Sequence, residues 1–105
     1  MSLIRVLING SKGRMGQESV KAVTEDMELD LVDQTDLGDN FSDIIRQAQA
    51  QVVVDFTTAA VVMENAVAII ESGARPVIGT SGLLPEQVSN LKELCKKHNI
   101  GGVIV

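Results

Sequence analysis

The chain has 105 residues, of which 45% are hydrophobic and 22% charged, and its formal net charge is −5 at pH 7. This length suits one domain with a single hydrophobic core, and the acidic balance argues against a nucleic-acid or anionic-membrane partner. The chain has no Trp or Tyr and only two Phe, which also argues against aromatic stacking of single-stranded nucleic acid.

The features that report on cellular location favour the cytoplasm. The single cysteine, Cys95, excludes an internal disulfide and is typical of a reducing compartment. The apolar runs are too short to cross a bilayer, and the N-terminus has no apolar segment followed by a small-residue cleavage site. We therefore expect a cytoplasmic protein without a membrane partner.

The first predicted strand, at about residues 3–8, runs into a turn with the glycine pattern G-x-x-G-x-x-G. This pattern is one step from the dinucleotide fingerprint G-x-G-x-x-G. Gly10 allows a sharp turn, Gly13 allows a ligand to approach the backbone, and Gly16 allows the next helix to pack against the sheet. The start of that helix offers N–H groups and a positive dipole end, so the pattern predicts a pyrophosphate site.

Beyond this turn, strand and helix patterns alternate to the end of the chain. The predicted elements are a helix at about 13–24 with the stripe Gly16, Val20, Val23 and Met27; a strand at 29–33; a loop at 35–40; a short helix with Ser42 as N-cap and Phe41, Ile44, Ile45 and Ala48 on one face; a strand at 52–54; a helix at 59–72 with Val62, Ala66, Ile69 and Ile70 on one face and Gly73 behind it; a strand at 76–78; a helix opened by Pro85 with the stripe Val88, Leu91, Leu94 and Cys95; and a strand from 102.

This alternation predicts an α/β fold: a Rossmann-type, doubly wound parallel sheet with right-handed crossovers and helices on both faces. The last apolar run ends at Val105, with no polar tail behind it. We expect the native protein to continue past this fifth strand, so that residues 1–105 form the N-terminal domain of a longer enzyme.

In an open parallel sheet the ligand lies at the carboxyl ends of the strands, and here those ends are rich in small or polar residues. Asp33 lies 17 residues beyond Gly16, near the ~20-residue spacing of the carboxylate that binds the adenosine ribose. Gln34 takes that place if the strand is shifted by one residue, and a solvated strand-end acid is the alternative interpretation of Asp33.

Two cations, Lys12 and Arg14, lie in the predicted phosphate turn. Arg14 is a candidate partner for a 2′-phosphate, which would admit NADPH as well as NADH. Asp33 would repel that phosphate, so we expect weak discrimination between the two cofactors. The alternative is that both cations are exposed loop residues.

The other candidate contacts follow the third and fourth predicted strands. Phe56 is predicted to pack along the cofactor or in the core. Thr57, Thr80 and Ser81 offer hydroxyl and backbone groups near the expected nicotinamide end, or serve only as turn and capping residues. Cys95 and His98 have no second pair of ligands nearby in sequence, so no metal site is predicted.

Three segments together resemble a known family. Residues 8–16 (INGSKGRMG), 54–57 (VDFT) and 78–82 (IGTSG) are similar, in order and spacing, to motifs of the N-terminal domain of the dihydrodipicolinate reductase (4-hydroxy-tetrahydrodipicolinate reductase) family. Ser81 stands where the family often has Thr, which keeps a hydroxyl. The resemblance covers nearly the whole chain.

The resemblance implies a cytoplasmic, homotetrameric enzyme of diaminopimelate and lysine biosynthesis that reduces a cyclic dicarboxylate with NADH or NADPH. It implies that this chain binds the cofactor through Gly10, Ser11, Lys12, Gly13, Arg14 and Met15 at the pyrophosphate, Asp33 at the ribose, and Gly79, Thr80 and Ser81 at the nicotinamide. It also implies that the catalytic residues and the substrate domain lie beyond residue 105. We therefore expect this chain to bind cofactor weakly and to catalyse nothing alone.

Other functions stay open at this level. The chain also fits the cofactor domain of another dehydrogenase, such as homoserine or aspartate dehydrogenase, or a non-catalytic nucleotide-sensing module. A flavodoxin-like response domain fits poorly, because it needs an acidic pocket at the end of the first strand, where this chain is glycine-rich.

Overall fold

A computed structural model describes residues 3–36 and 40–104 of the chain. In chain order its elements are β1 (Ile4–Asn9), α1 (Arg14–Glu25), β2 (Leu29–Thr35), α2 (Phe41–Ala48), β3 (Val52–Asp55), α3 (Val62–Glu71), β4 (Arg75–Ile78), α4 (Pro85–Lys97) and β5 (Val103–Ile104). Gly38, in the predicted loop, and Val105 lie outside the described residues. No helix in the described segments is both long and apolar enough to span a membrane.

The five strands form one parallel sheet in the order β2-β1-β3-β4-β5. This order is one of the common orders of doubly wound parallel sheets. From β1 the chain first moves to β2 and then crosses back to β3 on the other side of β1. The strand order therefore reverses between β1 and β3, where ligands of such sheets bind. The predicted fold class is confirmed.

Successive strand residues point to opposite faces of the sheet, and the two faces have separate cores. On one face α1 places Val23 against Val6 and Ile8 of β1. On the other face α2 and α3 cover Leu7 and Val53, and α4 packs beside α3 over the end of β4. The crossover from β1 to β2 runs in one direction along the sheet, and the later crossovers run in the other. Because all of them are right-handed, α1 lies alone on one face and the other helices lie on the opposite face.

Several predicted details are confirmed, among them the buried face of α3 and the first-turn position of Pro85 in α4. Gly73 follows α3 with φ +87°, the left-handed conformation that glycine adopts most readily after a helix. The strand over 52–54 and the stop signals at Asn99 and Gly101 also agree with the structure.

Two predicted side-chain positions are wrong. Met27 does not belong to the buried stripe of α1, because the helix ends at Glu25 and Met27 is 91% exposed in the turn that follows. Ser42 is not the N-cap of α2, since the helix already begins at Phe41 and Asn40 occupies the cap position, two residues before Ser42. The Asn40 amide instead donates to the Asp43 carboxylate at 2.7 Å, so this helix has no side-chain cap.

Cys95 is half-buried on α4, where it lines an apolar cavity of about 560 Å³ with Pro76, Ile78 and Leu91. Burial raises the pKa of the Cys95 thiol, which lowers the reactive thiolate fraction near neutral pH. We expect Ellman's reagent at pH 8 to modify the folded protein at least about fivefold more slowly than the urea-unfolded chain. Equal rates in the two states would contradict this assignment.

Candidate functional site

The carboxyl end of β2 lies two residues beyond its predicted position. Asp33 pairs with Leu7 inside the β1–β2 ladder, and a register shift between Val6 and Leu7 accommodates one extra residue of β2. The exposed Asp33 carboxylate accepts the N–H of Gln34 at 2.7 Å. Because β2 is an edge strand, polar residues are tolerated up to its end at Thr35.

The acid that follows this strand is therefore Asp36, which was not among the predicted site residues. Asp36 Oδ2 accepts the backbone N–H of Lys12 at 2.9 Å. The carbonyl oxygen of Thr35 accepts the N–H groups of Gly10 at 2.9 Å and Ser11 at 3.2 Å. These contacts attach the glycine turn to the end of β2.

Two glycines of the turn leave no room for a side chain. Gly10 has φ +82°, and a Cβ there would lie 2.5 Å from the carbonyl oxygen of Phe56. A Cβ on Gly16 would overlap the carbonyl oxygen of Gly10. Gly13 differs, because its nearest neighbour would be 3.6 Å away. Gly10 and Gly16 therefore hold α1 directly against the turn.

The free backbone donors of the turn lie at the start of α1. Among the described residues, the N–H groups of Arg14, Met15 and Gly16 have no acceptor, whereas Gln17 already donates to Gly13. The N-cap Gly13 offers no side-chain acceptor, and the first turn contains no acidic residue. Unsatisfied N–H groups and the positive end of the dipole make this helix end favourable for an anion.

A buried carboxylate, Asp55, joins the strand ends beneath the turn. Asp55 is fully buried, and its Oδ1 accepts the Thr57 N–H at 2.9 Å, the Thr57 hydroxyl at 2.5 Å and the Thr80 hydroxyl at 3.1 Å. Its Oδ2 accepts the Asn9 amide at 3.2 Å. Asn9 in turn accepts the Thr35 hydroxyl at 2.8 Å. The ends of β1, β2 and β3 and the loop after β4 are thus connected.

Asn9 and Thr35 were not predicted as parts of this network. The available signal was that Asn9 and Asp55 each end an apolar strand that is followed by a turn, whereas Thr35 ends a strand with polar residues and carried no such signal. Thr80 is 5% exposed, so its hydroxyl is directed into the network and not into the crevice.

Phe56 and Gly79 are in contact across the ends of β3 and β4. A Cβ on Gly79 would overlap the Phe56 ring, so the ring covers the Gly79 backbone. The Gly79 N–H donates to the Asp55 carbonyl at 2.9 Å. Ser81 is exposed beside this contact. The structure therefore brings Phe56, which was predicted to pack along the cofactor or in the core, against Gly79, which was predicted for the nicotinamide end.

A cavity of about 370 Å³ opens at the carboxyl edge of the sheet, between α2 and α3. Its lining is largely polar and comprises Asn9, Asp36, Asn40, Phe41, Ser42, Thr57, Val61, Glu64, Asn65 and Ala68. Asp36 thus contacts both this cavity and the glycine turn. Among the described residues, no group of three His, Cys, Asp or Glu side chains is placed to hold a metal ion.

Comparison with known proteins gives one consistent family. Residues 4–105 match the family model described as dihydrodipicolinate reductase, N-terminus. The chain is 43% identical over 100 residues to 4-hydroxy-tetrahydrodipicolinate reductase of Legionella pneumophila, covering 95% of this chain and 41% of that protein. It is 43% identical over 101 residues to the reductase of Coxiella burnetii, covering 96% and 42%. The chain therefore spans about two-fifths of the length of these relatives.

The fold has a close counterpart among solved structures. Dipicolinate-bound dihydrodipicolinate reductase from Paenisporosarcina sp. TG-14 superposes with a TM-score of 0.87 at 27% sequence identity. The superposition covers 98% of this chain and 47% of that one.

Proposed function

The chain belongs to the dihydrodipicolinate reductase family, and on that basis we propose that it is the domain that binds the nicotinamide cofactor of such a reductase. The whole protein then reduces 4-hydroxy-tetrahydrodipicolinate to tetrahydrodipicolinate with NADH or NADPH, a step of lysine and diaminopimelate biosynthesis. The family match favours this function over homoserine or aspartate dehydrogenase and over a non-catalytic sensor.

The observation that most directly supports cofactor binding is the open N-terminus of α1 at the reversal of the strand order. In the proposal, the N–H groups of Arg14, Met15 and Gly16 hold the pyrophosphate. Lys12 and Arg14 are exposed beside them and add positive charge. The amides of Gly10 and Ser11 already donate to Thr35, so these residues shape the site more than they donate to the ligand.

Asp36 replaces Asp33 in this proposal as the acid that binds the adenosine ribose. It lies 20 residues beyond Gly16, which matches the ~20-residue spacing of dinucleotide-binding sheets more closely than Asp33 does. It also follows the strand end and contacts the glycine turn.

The remaining predicted residues form the nicotinamide end of the site. The loop at Gly79 and the exposed Ser81 holds the carboxamide, and the Phe56 ring packs against the Gly79 backbone. The nicotinamide supplies the hydride when it is bound, and the protein supplies orientation. This chain has no residue assigned to proton transfer, so the acid and the dicarboxylate-binding groups belong to the rest of the whole protein. The homotetramer and the cytoplasmic location are proposed on the family resemblance alone.

Nucleotide titration of the ¹⁵N-labelled protein tests this function. Saturating NADH is expected to shift the amide resonances of Arg14, Met15 and Gly16 far more than those of the amino-terminal strand ends, because the pyrophosphate is nearest to them. The isolated chain is expected to show no reductase activity, whereas the full-length gene product shows it. Unperturbed resonances at the start of α1 would contradict the proposed function.

A further inference from the structure

We infer that Asp55 is a positioning residue of the proposed reaction: through the Thr80 hydroxyl it fixes the loop of residues 79–83 and thereby orients the nicotinamide for hydride transfer. The inference rests on the proposed function. It assigns to this buried carboxylate an effect on the rate of the chemical step, in addition to the support that it gives to the fold.

The loop that follows β4 is hydrogen-bonded to the sheet through Asp55. The Gly79 N–H donates to the main-chain carbonyl oxygen of Asp55 at 2.9 Å. The Thr80 hydroxyl lies 3.2 Å from that same oxygen and 3.1 Å from Oδ1 of the carboxylate. Within the described segments, no other hydrogen bond joins residues 79–83 to the rest of the domain. The position of the loop therefore depends on one residue of β3.

The loop itself contains few groups that restrict its conformation. Gly79 and Gly82 have no side chain, and Gly82 has φ +85°. Ser81 is exposed, whereas Leu83 packs on the core and holds the far end of the loop. Because glycine has access to more backbone conformations than other residues, such a loop needs an anchor near its start. The contact of Thr80 with the buried carboxylate lies at that point.

The carboxylate that anchors the loop is itself held in place. It is fully buried, Thr57 donates to its Oδ1 through both the N–H and the hydroxyl, and the Asn9 amide donates to its Oδ2. Asn9 ends β1 and directly precedes the glycine turn. One buried side chain therefore fixes the proposed nicotinamide loop relative to the turn that leads to the free amides of α1.

The two ends of the cofactor site are expected to respond differently when this anchor is lost. The pyrophosphate is proposed to bind at the start of α1, which is a different element, so most of the affinity for nucleotide is retained. The orientation of the nicotinamide depends on the loop, and a displacement of about 1 Å is enough to lower a reaction rate about 100-fold. Loss of the anchor should therefore lower kcat more than it raises KM.

Four variants separate the Thr80 hydroxyl from its surroundings. Thr80→Val removes the hydroxyl and leaves the other donors to Asp55 in place. Thr80→Ser keeps the hydroxyl, and Thr80→Cys has the shape of that variant with a thiol, which is a weak donor. Thr24→Val is the control, because it removes a hydroxyl that donates to a main-chain carbonyl oxygen of α1 at 2.7 Å, at the end of the helix far from the loop.

The first measurement is ¹⁵N relaxation of the isolated chain without nucleotide. The order parameters of Ser81 and Gly82 are expected to be about 0.85 in the wild type, Thr80→Ser and Thr24→Val, and below about 0.6 in Thr80→Val and Thr80→Cys. The order parameters at the start of α1 should not change. The ¹H–¹⁵N correlation spectra recorded for this purpose show that each variant is folded.

The second measurement is steady-state kinetics of the full-length gene product. Thr80→Val and Thr80→Cys are expected to reduce kcat at least about tenfold and to change KM for NADH less than about threefold. Thr80→Ser should recover most of kcat, and Thr24→Val should leave both constants unchanged. A role in folding alone would lower the amount of active enzyme in proportion to the unfolded fraction, and would not change the loop order parameters of the folded protein.

A loop as ordered in Thr80→Val and Thr80→Cys as in the wild type, or an unchanged kcat in both variants, would overturn the inference and leave the proposed function intact. A kcat as low in Thr80→Ser as in Thr80→Cys would also overturn it, as would a rise in KM as large as the fall in kcat. Failure of the wild type to bind NADH would overturn the proposed function, and the inference with it.

Discussion

Gly16→Ala is expected to destabilise the protein by about 2–4 kcal/mol and to abolish detectable nucleotide binding. The new methyl group would overlap the carbonyl oxygen of Gly10. Both groups are attached to backbone, so no side chain can rotate to make room. Either α1 must move away from the turn or the turn must open, and both changes displace the free amides at the start of the helix. Urea denaturation followed by circular dichroism measures the loss of stability.

Gly13→Ala is the matched control for this substitution. The added Cβ would lie 3.6 Å from its nearest neighbour, the Gly10 carbonyl oxygen, and Gly13 has φ −71°, which any residue adopts. We expect a change in unfolding free energy within about 0.5 kcal/mol. A similar loss of stability in the two variants would show that the contact between α1 and the turn is not the cause.

Asp55→Ala is expected to reduce the unfolding free energy by about 3–5 kcal/mol. The substitution leaves the Thr57 N–H and hydroxyl and the Asn9 amide without their acceptor, and the Thr80 hydroxyl keeps only the carbonyl oxygen of residue 55. Asn9 is 4% exposed, so water cannot easily replace the carboxylate. Thermal and urea unfolding curves of the purified variant give the measurement.

Two further variants separate the network from a general loss of side-chain volume. In Asp55→Asn the amide oxygen takes the place of Oδ1 and still accepts from the three donors of Thr57 and Thr80. The new NH₂ group then faces the NH₂ group of Asn9, and rotation of the Asn9 amide removes this contact between two donors. The substitution should therefore cost about 1–2 kcal/mol. Asp33→Ala removes an exposed acid of β2 and should cost no more than about 0.5 kcal/mol. The network has no such role if Asp55→Ala is as mild as Asp33→Ala.

The predictions for Gly16→Ala and Asp55→Ala concern the same physical requirement of a cofactor site. The backbone donors must be held in place before the ligand arrives, because ordering them on binding would weaken the affinity. Gly10 and Gly16 achieve this by close backbone packing, and Asp55 does so through buried hydrogen bonds to the neighbouring strand ends. Substitutions at these positions therefore affect stability and nucleotide binding together.

The candidate site was predictable where local sequence controls it. The glycine turn, the D-F-T segment and the 79–82 loop could be located at strand ends because apolar runs are short and turns are marked by small residues. The acid that we propose for the ribose could not be located in this way. Its identity depends on where an edge strand ends, and pairing with β1 through a register shift extended β2 past Asp33.

The sequence by itself determined the alternation of strands and helices and the family motifs, since these depend on periodicity and on residues that are close together in the chain. Only the tertiary structure decided that Asp36 and not Asp33 adjoins the turn, that the free amides begin at Arg14, and that Asp55 connects three strand ends. The physical reason is that these features arise from hydrogen bonds between residues 24 to 46 positions apart. Such contacts depend on strand register and sheet order, which local patterns do not encode.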